Sequence, residues 1–179
     1  MTRLKRTTKE TDIRLSLSRN GGEISVETDD PFLSLMVETL ARYGGLGLTL
    51  TATGDLKHHL VEDVGIALGL ALKKETPEKA TRYGAALVPM DEALVQAAVD
   101  VGGRPFYVGP LPSGLYEHFL QSLTVNLGAT LHIRVIRGKD KHHMVEAGIK
   151  AFGLALRQAL TEGDAVFSTK GSVALEWGE

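Results

Sequence analysis

The sequence predicts an α+β fold made of two similar halves, each a sheet backed by helices in the order strand, strand, helix, strand, helix. Three observations lead there. Residues 58–72 (HHLVEDVGIALGLAL) and 142–156 (HHMVEAGIKAFGLAL) align without gaps at a spacing of 84 residues, close to half of the 179-residue chain. Apolar residues alternate with polar ones in several short stretches, as in strands with one buried face. Others recur at helical spacing between turn signals. The division is residues 1–83 and 84–162 as half-repeats, with 163–179 as a tail that has no partner in the repeat.

In the first half, Ile13, Leu15 and Leu17 alternate as a strand, Asn20-Gly21-Gly22 reads as a hairpin, and Ile24 and Val26 resume the alternation. Asp29-Asp30-Pro31 marks a helix entry. Phe32, Leu33, Met36 and Leu40 form its apolar stripe, and Gly44-Gly45 ends it. Leu48, Leu50 and Ala52 alternate again, and the His-His segment opens a second helix. In the second half, 84–101 and 104–108 read as extended, and 114–127 as helical through Leu115, Phe119 and Leu123. Leu131, Ile133 and Val135 read as a strand, and a helix from His142 carries Val145, Ile149, Phe152 and Leu156.

Composition narrows the function classes. Twenty Lys and Arg against 22 Asp and Glu give a formal charge of −2, and the pI near 6.3 makes no electrostatic case for a nucleic-acid partner. With 43% hydrophobic residues and a mean hydropathy of −0.01 the chain is neither disordered nor a membrane protein. There is no cysteine, hence no disulfide, thiolate metal site or cysteine nucleophile. The opening MTRLKRTTKET has no apolar segment of a signal peptide, so the expected compartment is the cytoplasm.

The chemistry lies in H-H-x-x-E, present twice. On a helix, residues four apart share a face, so His58 with Glu62 and His142 with Glu146 can address one ion each. His59 and His143 lie about 100° round the axis from their neighbours, which gives each helix two ligand directions. The pattern therefore predicts two metals, with sites shared between repeats or between chains. Imidazole and carboxylate without sulfur suit manganese, iron, nickel or zinc. A single His-His pair is commonly a surface feature; the second copy with the same Glu offset makes it a candidate site. His118 becomes a further candidate ligand beside these motifs, whereas His132 shares a solvated strand face with Arg134. Arg82, Arg104 and Lys170 stand near turns and suggest an anionic substrate. Isolated loop arginines are commonly just solvated.

Thr8-Lys9-Glu10-Thr11, the His-His motif at 58, Pro89-Met90-Asp91-Glu92, Gly103-Arg104-Pro105, Glu117-His118-Phe119, the His-His motif at 142 and Ser168-Thr169-Lys170-Gly171, in this order, resemble the imidazoleglycerol-phosphate dehydratases of histidine biosynthesis over nearly the whole chain. The resemblance implies a hydro-lyase that dehydrates imidazole-glycerol phosphate to imidazole-acetol phosphate, with two Mn2+ ions per active site bound between neighbouring chains of a 24-mer. It implies metal ligation by His58, His59, Glu62, His118, His142, His143 and Glu146. It implies catalytic carboxylates at Glu10, Glu62 and Glu146, with Glu10 also at the substrate. It implies phosphate contacts at Arg82, Arg104, Ser168 and Lys170. Leu35 stands where the family carries a further histidine ligand, so one metal centre is expected to be incomplete. The sequence also admits two alternatives: a non-catalytic metal-binding assembly protein of the same fold, and a metal-dependent lyase on another small phosphate ester.

Overall fold

The computed structural model describes residues 1–166. The first half contains β1 (Thr2–Thr7), β2 (Thr11–Ser18), β3 (Ile24–Thr28), α1 (Pro31–Gly44), β4 (Gly47–Gly54) and α2 (Lys57–Glu75). The second contains β5 (Tyr83–Met90), β6 (Ala93–Asp100), β7 (Phe106–Val108), α3 (Gly114–Leu127), β8 (Thr130–Arg137) and α4 (Lys141–Ala159). The sheet orders are β1-β2-β4-β3 and β5-β6-β8-β7, so the two halves share one topology. The α+β class with a helix-backed sheet in each half is what the sequence predicts.

Three elements differ in detail from the sequence reading. Each half has one more strand before its first helix. Residues 2–7 form β1 although they lack a continuous apolar face, because they need only pair at the sheet edge with β2. The stretch 84–101 is two strands, not one, folded at Asp91-Glu92 with Met90 opposite Ala93 and Asp91 at φ 49°. Asn20-Gly21-Gly22 turns the chain, but β2 and β3 do not form a hairpin. β4 inserts between them, antiparallel to β2 and parallel to β3. A Cβ at Gly47 would lie 2.5 Å from the Gly21 carbonyl oxygen, so the glycine loop wraps closely round the inserted strand.

Local signals explain the helix starts. Asp30 caps α1 by accepting from the Leu33 amide at 2.7 Å, with Pro31 in the first turn, and Gly45 closes the helix at φ 67°. Asp140 caps α4 by accepting from the amides of His142 and His143, which fixes the entry of that helix at the histidine pair.

Sheet one packs on α1 and α2, sheet two on α3 and α4, and the helices meet across the halves: α2 on α3, α1 on α4. One continuous core results, with Ile13, Leu50, Leu68, Phe119 and Phe152 fully buried. Small residues set the helix approach. A Cβ at Gly69 would stand 2.4 Å from the Leu123 carbonyl oxygen of α3. Its repeat counterpart Gly153 would place one 2.9 Å from the Cβ of Tyr43 on α1. Neither contact leaves room for a methyl group without moving a helix.

Parallel pairing decides where the chemistry collects. β3 with β4, and β7 with β8, run the same way, so all four helices begin at the matching ends of their sheets. β2 starts opposite the end of β4 (Thr11 with Gly54), which brings the β1–β2 turn and Glu10 to that end. The β5–β6 turn meets the end of β8 in the same manner (Leu94 with Arg137).

Gly69→Ala is expected to destabilise the fold by about 1–3 kcal/mol despite its better helix propensity, through overpacking against backbone. Gly148→Ala, whose Cβ would meet Leu111 Cδ2 at 3.4 Å, is expected to be neutral or stabilising. Urea denaturation of the two variants checks the contrast.

Candidate metal centre

The cross-half packing of α2 and α3 produces the most concentrated donor set among the described residues. His58 and Glu62 project from the first turns of α2, and His118 from the start of α3. One donor atom from each lies within 4.8 Å of the others. The Glu62 Oε2 atom is 3.7 Å from His58 Nε2 and 3.3 Å from His118 Nε2, and the two rings lie 5.1 Å apart between centroids. His118 Nε2 is a buried atom with no hydrogen-bond partner. A buried imidazole nitrogen without a hydrogen bond costs free energy unless something else satisfies it. A cation between these three atoms would satisfy it, so the donor set fits a divalent transition metal with nitrogen and oxygen preference.

The repeat places a second arrangement where α4 meets α1. His142 Nε2 lies 3.0 Å from Glu146 Oε2, and the His142 ring packs on Phe32 of α1 at 5.0 Å. Lys150 Nζ is 2.8 Å from Glu146 Oε1. Burial alone would raise the Glu146 carboxyl; Lys150, and after it His142, outweigh that and hold it below its ordinary range.

The second histidine of each pair turns elsewhere. The His58 and His59 rings stand 6.1 Å apart at 71°, and His142 and His143 stand 6.0 Å apart at 85°. His59 Nδ1 meets Asp55 Oδ1 at 2.9 Å, with Glu10 Oε2 at 3.7 Å. His143 Nδ1 meets Glu92 Oε2 at 2.8 Å, and Asp91 Oδ2 is 3.6 Å from its Nε2. The Asp55 contact raises the His59 pKa, and the Glu92 contact raises that of His143, in each case against the effect of burial. In the neutral ring a proton on Nδ1 donated to the carboxylate leaves the lone pair on Nε2, the arrangement of a metal-ligating histidine with an orienting partner.

Asp55, Asp91 and Glu92 contact the histidine pairs but carry no site role in the sequence reading, although Asp91 and Glu92 stand in the Pro89-Met90-Asp91-Glu92 motif. The four-residue step from Asp55 to His59 was visible as a helical-turn spacing. Glu92 was not, because only the β5–β6 turn brings it 51 residues along the chain to His143. The Glu92 carboxylate also accepts from the amides of Lys139 and Asp140, at 3.1 and 2.8 Å. The Asp140 amide, then His143, then the Lys139 amide hold its pKa down to about 2.

The basic residues lie apart. Arg82 precedes β5, and Arg104 lies between β6 and β7, where Thr130 donates to its carbonyl oxygen. Glu92 follows the far end of β5, so about 25 Å of strand separates it from Arg82. Asp100 engages Arg82 as a fork, Nε to Oδ1 at 2.7 Å and Nη2 to Oδ2 at 3.1 Å. Ser168 and Lys170 lie outside the described residues. His132 is exposed on the outer face of β8, beside Phe106, away from the donor clusters.

A family model of imidazoleglycerol-phosphate dehydratase matches residues 28–156. The chain belongs to the imidazoleglycerol-phosphate dehydratase family. Members of this family are hydro-lyases of histidine biosynthesis. The imidazoleglycerol-phosphate dehydratase of Pyrobaculum aerophilum is 47% identical over 182 residues, covering 93% of this chain and 96% of that one. The imidazoleglycerol-phosphate dehydratase of Pyrococcus furiosus is 43% identical over 177 residues, covering 94% and 99%. The crystal structure of the latter dehydratase in complex with (S)-C348 superimposes with a TM-score of 0.85 at 42% identity, over 95% of this chain and all of that one. That of the Staphylococcus aureus dehydratase does so with a TM-score of 0.75 at 31% identity, over 91% of this chain and all of that one. No helix among the described residues is long and apolar enough to cross a membrane.

The low Glu92 pKa has a defined sign. A folded-state value below the usual 4.5 gives a stability contribution that is full above that pH and is lost as pH falls toward 2. Glu92→Gln is therefore expected to lower the thermal midpoint near neutral pH, and the gap to the parent protein is expected to close between pH 4.5 and 2. Thermal unfolding of both proteins across pH checks this; a gap independent of pH contradicts it.

Proposed function

We propose that this chain is a metal-dependent dehydratase that converts imidazole-glycerol phosphate to imidazole-acetol phosphate in the cytoplasm, with Mn2+ as its metal. The observation that carries the reading is the His58–Glu62–His118 cluster, whose buried His118 nitrogen has no hydrogen bond, duplicated in part at His142 and Glu146. Family membership supplies the substrate class, and the donor set supplies the means.

The chemical difficulty is the substrate's carbon-bound proton, which is not acidic, and the hydroxyl that must leave as water. A metal bound by these imidazoles and carboxylates would act as a Lewis acid on the substrate's azole, making charge on that ring tolerable. The remaining work falls to the side chains. His58, His118 and Glu62 would hold one ion, and His142 and Glu146 the other, with His59 and His143 presenting Nε2 outward. Two ions per active site would be held by these two centres, as the family resemblance suggests. Glu10, half exposed on the β1–β2 turn beside His59, is the carboxylate placed to move a proton. Glu92, its counterpart on the other turn, is tied up by two amides and His143, and so serves to orient instead.

A second copy would complete the phosphate end. Arg82 and Arg104 lie at the opposite end of sheet two from His142 and His143, which favours a site completed by another chain's arginines. A neighbouring chain in a homo-oligomer, for which the family resemblance suggests 24 subunits, would bring its basic loops and outward histidines to these centres. Ser168 and Lys170 belong to the same proposed phosphate contact set.

Purified protein loaded with Mn2+ is expected to dehydrate imidazole-glycerol phosphate, to lose that activity on chelation, and to regain it with added Mn2+. Absence of turnover in the loaded protein refutes the reading. Glu10→Gln is expected to cut kcat by about 10²–10⁴ while metal content per chain stays unchanged. Arg104→Ala is expected to raise KM more than it lowers kcat, as loss of a ground-state phosphate contact does. Steady-state kinetics with metal analysis separates the two variants.

A further inference from the structure

α1 and α3 are counterparts. Each has 14 residues, each follows the short parallel strand of its sheet, and each ends in a left-handed glycine, Gly45 or Gly128. Laid on one another from their first residues, they put Leu35 at the place of His118. α2 and α4, both of 19 residues, likewise pair His58 with His142, Glu62 with Glu146 and Ile66 with Lys150. The internal comparison thus shows two places of common origin with different contents.

In the α2–α3 groove Glu62 meets two imidazoles, and one of them, His118 Nε2, is a buried atom without a hydrogen bond. In the α1–α4 groove the matching position is Leu35, a side chain 40% exposed that offers no lone pair. Glu146 already has an ammonium on it, since Lys150 Nζ lies 2.8 Å from Oε1, where the first half has the uncharged Ile66. Among the described residues no other acidic or imidazole group joins His142 and Glu146 into a set of three; Glu38, one turn along α1 from Leu35, does not. A cation entering there loses one imidazole and meets the field of a fixed positive charge.

We propose that the two centres are unequal by construction: the α2–α3 centre binds a divalent metal tightly, and the α1–α4 centre binds one weakly and second. This rests on the metal-dependent reading above. His59 and His143 are similarly turned out in the two halves, so whatever a neighbouring copy supplies through them comes to both centres and leaves the difference in place. Metal content near one ion per chain at limiting metal, rising toward two only in excess, is the resulting state of the assembled protein.

Calorimetric titration of the metal-stripped full chain with Mn2+, paired with equilibrium dialysis, tests this. Two classes of site are expected, one equivalent per chain each, separated by at least about tenfold in affinity. Glu62→Gln is expected to remove the tight class and Glu146→Gln to spare it. Leu35→His, at an exposed position, is expected to tighten the weak class by about tenfold or more. Two equivalents of equal affinity, or an unchanged weak class in Leu35→His, overturns the inequality while leaving metal dependence standing. No binding of Mn2+ at all removes the metal-dependent reading itself and this inference with it.

Discussion

The close contact of helices across the two halves is the constraint on which the rest depends. Gly65 and Gly69 let α2 lie against the backbone of α3, where a Cβ would come within 2.8 Å of the Phe119 carbonyl oxygen and 2.4 Å of that of Leu123. Without this approach His118, on the opposite half from His58 and Glu62, would not reach the shared point. The same geometry at Gly153 brings α1 against α4. Packing in the middle of the helices thus sets donor distances at their ends, since a displaced helix carries its first turn with it.

The ends of the helices owe their chemistry to strand direction. Because each half follows a parallel strand pair with a helix, helix starts gather at one end of each sheet, and the two antiparallel turns deliver carboxylates to the same places. At one of these turns the carboxylate, Glu10, stays half exposed, 3.7 Å from His59. The other is pinned, with Glu92 bridging the α4 entry and the His143 ring. Charge-assisted hydrogen bonds to two backbone amides make Glu92 a fixed anion, unsuited to trading protons near neutral pH. Asp63 plays a different part under His59: almost buried, it is met by Arg6 and by the Thr11 hydroxyl, so its charge is compensated while it ties α2 to the β1–β2 turn.

Duplication followed by divergence is readable in the side chains. The positions that maintain the fold, the glycine at 69 and 153 and the apolar run after each His-His, are retained. Those at and beside the donor clusters have drifted: Asp63 faces Ala147 in the alignment, Ile66 faces Lys150, and Leu35 faces His118. Packing tolerates little change because a methylene has no spare volume to enter, whereas a solvent-facing donor can be lost without unfolding the chain.

The halved organisation, the helices opening at the histidine pairs, and the shared faces of His58 with Glu62 and His142 with Glu146 were written in the sequence by itself, because these are local patterns: alternation for strands, a four-residue step for one helix face, the Asp29-Asp30-Pro31 helix entry. The insertion of β4 between β2 and β3, the pairing of residues 2–7, the approach of His118 to the other half and the reach of Glu92 to His143 were decided only by the tertiary structure. Each joins residues far apart in the chain, and such pairings depend on which surfaces can share one core. No short-range pattern encodes that.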